Sequence, residues 1–274
     1  MVVQNNLRKP VVAGQFYPRD AKGLNKVISS FADKEGQKRD AIGAILPHAG
    51  YVYSGLVAAQ TVCGINIKNN VVLLGTNHTG LGPEFSIMPS GIWQTPLGEL
   101  EVNAELSNLF LNKSVNLRAD ILAHKNEHSL EVELPILQYF KKTFKIIPIA
   151  IRSLNLGLLK SLAKELAEVI NENNLIKSTV FIASSDLTHY EPQEIAERKD
   201  ALAIDAIVAL DEDELGRVVN DEHISMCGFA PVAVLIKTAK LLGAKGGQLI
   251  KYQTSGQASG DFSSVVGYAG ITIY

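Results

Sequence analysis

Cysteine is scarce in this sequence, with Cys63 and Cys227 the only two among 274 residues. That excludes a disulfide framework and points to a reducing compartment, so a cytoplasmic location is expected. A basic excess is missing too: 26 Lys and Arg stand against 28 Asp and Glu, a formal net charge of −2 with a pI near 6.3. No surplus of positive charge remains to neutralise phosphates, which argues against nucleic acid as a partner. No apolar run approaches the ~20 residues that a bilayer span requires, so no membrane association is expected. Residues 1–9 contain no apolar segment of the kind that opens a secretory leader. Repeats, low-complexity tracts and charge blocks are absent. The most linker-like stretch, residues 254–264, falls between two strands and reads as a loop, so one domain over residues 1–274 is expected.

What is present is ordinary globular material, 46% hydrophobic and 20% charged, enough for a sizeable core. Short apolar runs alternate with amphipathic stretches, the pattern of an α/β domain around a buried, largely parallel sheet. Strands are expected at residues 43–47 (GAILP), 71–75 (VVLLG), 85–88, 145–151 (KIIPIAI), 179–183 (TVFIA), 249–253 and 265–273. Residues 93–95 and 99–102 flank Pro96-Leu97-Gly98 as a hairpin. A helix at 56–63 is ended by Gly64, and one capped by Asn103 runs to about Leu111. Another begins near Leu130, where Pro135 is tolerated only close to the start. Leu159, Leu162, Ala163, Leu166, Val169 and Ile170 make one apolar helical stripe. Further helices are expected at 194–210, from the Asp211-x-x-Glu214 start, and at 231–242 before Gly243.

Chemically capable residues sit where those strands end. His48 follows GAILP, His78 follows VVLLGTN, and Asp186 and His189 follow TVFIASS. In open α/β sheets ligands bind beyond the carboxyl ends of the strands, so these groups should converge on one rim. One loop histidine alone is more simply a backbone-bonded residue, but two at neighbouring strand ends favour a metal, since imidazole is its commonest side-chain ligand. Cys63 closes an apolar helix and reads as core. Cys227 instead lies in a turn-like SMCG segment just before a helix, where the helix N-terminus should lower the thiol pKa and favour the thiolate that binds metal. His128 is flanked by Glu127, Glu131 and Glu133. The plain interpretation is a solvated helix start, the functional one a general acid/base tuned by carboxylates. Asp186, three residues before His189, is suited to orienting a ligand or that imidazole. His124 and His223 lack such surroundings and are assigned to the surface.

Seven segments, RKPVVAGQFYP, PHAGYVYSG, GTNHTG, WQTPLGELEV, NEHSLEVELP, SSDLTHY and MCGFAPVAVL, occur in the order seen in the Memo family (mediator of cell motility). Prokaryotic members of that family are often labelled system protein B of the AmmeMemoRadiSam set. The resemblance runs from about Lys9 to about Gly270, and several motifs in order make it specific. It implies a three-layer αβα fold with a central mixed, largely parallel sheet, similar to the LigB-type extradiol dioxygenases that use non-haem Fe(II). It further implies an iron site made by His48, His78 and Cys227. His128 and His189 would match the two non-ligand active-site histidines of those enzymes, and Asp186 would lie near the metal. Cys227 departs from the dioxygenases, which supply a carboxylate there. A thiolate is softer, also suits Cu or Zn, and is open to oxidation. Phe229 stands where a polar residue is more usual.

Three functions from different classes follow. The first is an Fe(II)-dependent oxidoreductase acting on a small molecule, with His128, His189 and Asp186 handling protons. The second is an adaptor that keeps the cleft for a protein or peptide partner without turnover. The third is a zinc hydrolase, because two His, one Cys and a water form an accepted catalytic zinc set. A serine hydrolase from Ser185, Asp186 and His189 is the weakest option, with no nucleophile elbow and all three residues local in sequence.

Overall fold

The computed structural model describes residues 6–32 and 38–274. Residues 1–5, part of the segment read above for a leader, lie outside that range. The fold is α/β, and its large sheet is mixed. Four parallel strands form the centre in the order Gly43–Leu46, Thr179–Ser184, Asn70–Thr76, Lys145–Ile151. Val265–Ile273 runs antiparallel beside Gly43–Leu46, and Phe85–Ile87 runs antiparallel beside Lys145–Ile151. Gly247–Thr254 and His189–Glu191 pair with Val265–Ile273 to finish one end, and Arg118–Ala119 finishes the other. A separate small sheet joins Leu7–Arg8 to the hairpin Ile92–Thr95 and Gly98–Glu101.

The run Val71 to Leu74 explains the layering. Successive strand side chains point to opposite faces, and here both faces are covered. Val72 and Leu74 pack with Leu159, Leu162 and Leu166 of the helix Leu156–Glu172 and with Val234 and Leu235 of Phe229–Leu241. Val71 and Leu73 pack on the other side with Ala58, Ala59 and Val62 of the helix Tyr51–Cys63. A strand apolar at every position is what a doubly covered parallel sheet demands.

Most expected elements form close to their expected limits. Asn103 caps Ala104–Lys113 by accepting from Leu106 N, and Asp211 caps Glu212–Asp221 by accepting from Asp213 and Glu214 N. Pro135 is the third residue of Glu133–Phe140, inside the first turn where no donor is missed. The helix expected at 56–63 starts earlier, at Tyr51. Its cap, Gly50, offers no side chain. Instead the N-terminal segment supplies the acceptor: Tyr51 N donates to Phe16 O at 2.7 Å. The expected loop at 254–264 contains one short helical turn, Gly256–Ser259.

His124 overturns its assignment. His223 is exposed, but His124 is 0% exposed, in the short helix Leu122–Lys125. Arg8, distant in sequence, draws it inward: Arg8 Nε donates to His124 O at 2.8 Å, and the guanidinium lies 4.0 Å over the Trp93 ring beside the imidazole. Neither imidazole nitrogen completes a hydrogen bond of normal geometry. Burial first, then the Arg8 charge, push its pKa down to about 3, against weaker upward pulls from the Ser86 backbone and Glu127.

A buried neutral histidine has a definite consequence in acid. The unfolded chain takes a proton here below about 6.5, while the folded chain resists until about 3. The contribution to stability is therefore complete above about 6.5 and drains away as pH falls toward 3. His124→Phe should gain on the natural protein by about 1.4 kcal/mol for each pH unit through that window, measured by denaturant unfolding at several pH values. Parallel stability curves for the two proteins would refute it.

Candidate metal centre

Four chain segments meet beyond the carboxyl ends of the central strands. His48 leaves Gly43–Leu46, His78 leaves Asn70–Thr76, and Asp186 leaves Thr179–Ser184. The Cys227 turn arrives from elsewhere and is pinned to two of these ends. Thr76 Oγ1 donates to Cys227 O at 2.7 Å, and Gly228 N donates to Ser185 Oγ at 3.0 Å. That approach explains Gly228: a Cβ there would stand 2.2 Å from Ser185 Cβ. Gly75 serves the His128 segment in the same way, since its Cβ would stand 2.4 Å from Leu130 Cδ2.

His48 is 3% exposed. Its backbone N donates to Asp186 Oδ1 at 2.9 Å, and its Nδ1 lies 2.7 Å from Ser184 Oγ. Its Nε2 faces Cys227 Sγ at 3.4 Å and Asp186 Oδ2 at 4.0 Å. Burial first, then the neighbouring imidazoles of His78 and His128, hold its pKa well below the usual histidine range. The ring is neutral and has a lone pair to offer. The His78 and His128 rings stack at 4.7 Å, and both lie edge-on to His48, at 5.3 and 5.5 Å.

The side chain that organises this cluster is Glu127. It is 0% exposed and accepts from four N–H groups: His78 N at 2.5 Å, His78 Nδ1 at 2.9 Å, and His128 N and Ser129 N, each at 2.9 Å. Burial opposes its ionisation, but the hydrogen bonds from His78 and Ser129 and the nearby imidazoles outweigh it and bring the pKa to about 2. Glu131 and Glu133 are also 0% exposed. The solvated interpretation of this acidic helix start is therefore wrong: all three carboxyls point inward. Glu131 is paired with Arg8 at 2.6 Å and also accepts from Tyr17 OH at 2.6 Å and from the Val11 and Val12 backbone.

Two donor sets emerge, His48 with His78 and His128, and His48 with Asp186 and Cys227; in each the ligand atoms lie within 4.8 Å of one another. His48 belongs to both. The sequence-expected trio His48, His78 and Cys227 is thus divided between the two sets, which share only His48: His78 groups with His128, and Cys227 with Asp186. His189 stands at the edge. Its Nδ1 lies between Leu187 O at 2.7 Å and Ser225 O at 2.9 Å, so that nitrogen carries a proton. Phe229 is buried in the core. The thiol does not follow the helix-terminus expectation. Burial first and then the Asp186 charge push Cys227 up to about 12, because desolvation outweighs a dipole of partial charge. Burial also raises Asp186, to about 6.

The donor set fits a borderline or soft cation. Two imidazoles have their Nδ1 atoms engaged by Ser184 and Glu127, the arrangement that orients ligating histidines. The sulfur of Cys227, beside His48, would ligate such a cation as the thiolate.

Residues 8–272 match the model of the Memo-like protein family. The chain belongs to that family. A MEMO1 family protein of Methanopyrus kandleri is 42% identical over 278 residues, covering 96% of this chain and 98% of the relative. One from Aquifex aeolicus is 42% identical over 269 residues, covering 97% and 98%. The crystal structure of an uncharacterized protein of Escherichia coli K12 superposes with a TM-score of 0.57 at 11% identity, covering 85% of this chain and 99% of that one. That likeness concerns the fold alone. Among the described residues of this Memo-like chain, no helix is long and apolar enough to cross a membrane.

Sequence reasoning missed Glu127 as an anchor, Ser184 behind His48, and the Arg8–Glu131 pair. Three glutamates within seven residues of strongly apolar sequence were the available sign, since a solvated helix start rarely carries Leu130, Val132 and Leu134 between its acids. Replacing Glu127 by Ala leaves four donors without their acceptor, the Ser129 N–H buried and the other three partly buried. It should cost about 3–5 kcal/mol of stability, read as a lower denaturant midpoint. A loss below about 1 kcal/mol would mean that the carboxylate is not the anchor described.

Proposed function

We propose that this Memo-family protein is a metal-dependent redox enzyme in which His48, His78 and Cys227 hold one ion, Fe(II) before Cu or Zn, close to a small-molecule substrate. The observation that carries the reading is Cys227 Sγ within 3.4 Å of His48 Nε2, with the His78 ring 5.3 Å from that of His48. Iron in such a set would supply one-electron chemistry with coordination positions left for small ligands.

The chain's own residues have distinct tasks. Glu127 holds His78 by Nδ1, and Ser184 holds His48 by Nδ1, so each ring presents Nε2. Burial, opposed by Glu127, lowers the pKa of His128, so its ring is neutral. Asp186, raised to about 6, changes charge close to neutral pH beside His48 and Cys227. His189 is anchored through Nδ1, which turns its other nitrogen away from those carbonyls, and we assign it to proton transfer. These three are our catalytic assignments.

A second reading, the adaptor, is favoured by one observation. Tyr190, next to His189, is 78% exposed in a left-handed conformation (φ 59°), and Val52, in the first turn after His48, is 70% exposed. Aromatic and aliphatic side chains presented to solvent near the strand-end cluster suit a peptide partner.

Metal analysis on protein purified without air separates these readings. Near-stoichiometric iron, with a nitric oxide adduct spectrum indicating open positions, is the expected result. Cys227→Ser and His78→Ala should each weaken metal binding by at least about tenfold. Unchanged metal content in both variants would remove the assigned site. Zinc alone, with no activity gained from Fe(II), would favour the hydrolase. Peptide binding without metal-dependent oxygen uptake would favour the adaptor.

A further inference from the structure

Behind His48, on the side away from Cys227, lies a group that the proposed chemistry does not use. Glu133 is 0% exposed, and among the described residues no lysine or arginine pairs with it. Its Oε1 lies 2.8 Å from Ser184 Oγ, and its Oε2 has no hydrogen-bond partner among the described residues.

The protons around Ser184 can be counted. A serine hydroxyl has one hydrogen to give and two lone pairs to receive. Three polar atoms surround Ser184 Oγ: Ser129 O at 2.8 Å, Glu133 Oε1 at 2.8 Å and His48 Nδ1 at 2.7 Å. Ser129 O is a carbonyl and can only accept, so it takes the single hydrogen. Both remaining neighbours must then donate. For His48 this means a proton on Nδ1, which leaves the Nε2 lone pair directed toward Cys227 Sγ, 3.4 Å away. For Glu133 it means a proton on Oε1. An ionised Glu133 would compete with Ser129 O for one hydrogen, leaving two oxygens facing each other unbridged at 2.8 Å.

We propose that Glu133 is a positioning residue: a protonated buried carboxylic acid that donates to Ser184 and thereby locks His48 in the tautomer that frees Nε2. Its burial supports this independently, since a carboxylate without a countercharge is expelled to its neutral form. Burial first, and then the Asp186 charge, raise the Glu133 pKa well above the usual carboxyl range. A neutral acid also accounts for the unpartnered Oε2, which is then a carbonyl oxygen and not half of an anion.

The role of Glu133 as a proton donor stands on the donor count alone, while its effect on metal affinity rests on the reading of His48 as a ligand. The test therefore has two arms. In the metal-free protein labelled with carboxyl-13C glutamate, infrared spectroscopy in mildly alkaline buffer should show a protonated carboxyl band that vanishes in Glu133→Gln. Nitrogen-15 spectra should show His48 protonated at Nδ1. In the second arm, zinc affinity of Glu133→Gln should stay within about twofold of the natural protein, because the amide donates in the same place. Ser184→Ala should weaken it by about 10–100-fold. Absence of the carboxyl band, or a loss of tenfold or more in Glu133→Gln, overturns the proposal. If the natural protein binds no zinc, the metal reading fails, while the infrared and nitrogen spectra still decide the state of Glu133.

Discussion

A buried carboxylate that receives four N–H groups holds this pocket together. Glu127 is the atom-level joint between the loop after the strand Asn70–Thr76 and the loop before the helix Glu133–Phe140. Removing an anion from water is costly, and the cost is offset only when its lone pairs are filled by well-directed donors. That requirement sets the backbone of both loops and the plane of the His78 ring at once. The stack of His78 on His128 follows from it, because both residues donate to the same carboxyl group.

A second layer of charge supports the first. Arg8 reaches the Glu127 carbonyl with Nη2, the Glu131 carboxylate with Nη1 and the His124 carbonyl with Nε. Glu131 in turn binds the backbone of Val11 and Val12 and the hydroxyl of Tyr17. The N-terminal segment is thus a clasp under the pocket, and Phe16 touches both of its sides. Its carbonyl caps the helix after His48, and its ring lies against His128 at 5.1 Å. Cations, anions and rings far apart in sequence are arranged so that burial holds His48 and His128 below the usual histidine range while hydrogen bonds keep Glu127 ionised.

Much of this was legible in the residues. VVLLG reads as a fully buried strand and TVFIA as strand-like, and the residues that follow them are expected on one rim. The strand-end rule therefore located His48, His78 and Asp186 from local pattern alone, and the turn composition of SMCG set Cys227 apart from Cys63. Misreadings arose where a side chain's partner lies far away along the chain. His124 looked like surface because Arg8 and Trp93 are remote from it in sequence. The acids around His128 read as solvated because their hydrogen-bond partners belong to His78, Arg8 and Ser184. The Cys227 thiol was expected low on the strength of a local helix terminus, whereas burial and Asp186 push it up.

The sequence by itself determined the order of elements, the α/β class, the Memo-like family membership and the short set of residues able to do chemistry. Hydrophobic periodicity and turn composition are local properties, and they act within a few residues of where they are written. Only the tertiary structure decided which ring nitrogens carry protons, which acids are ionised and which side chains share a pocket. Those states depend on desolvation and on hydrogen bonds between distant segments, and neither exists until the chain has closed around them.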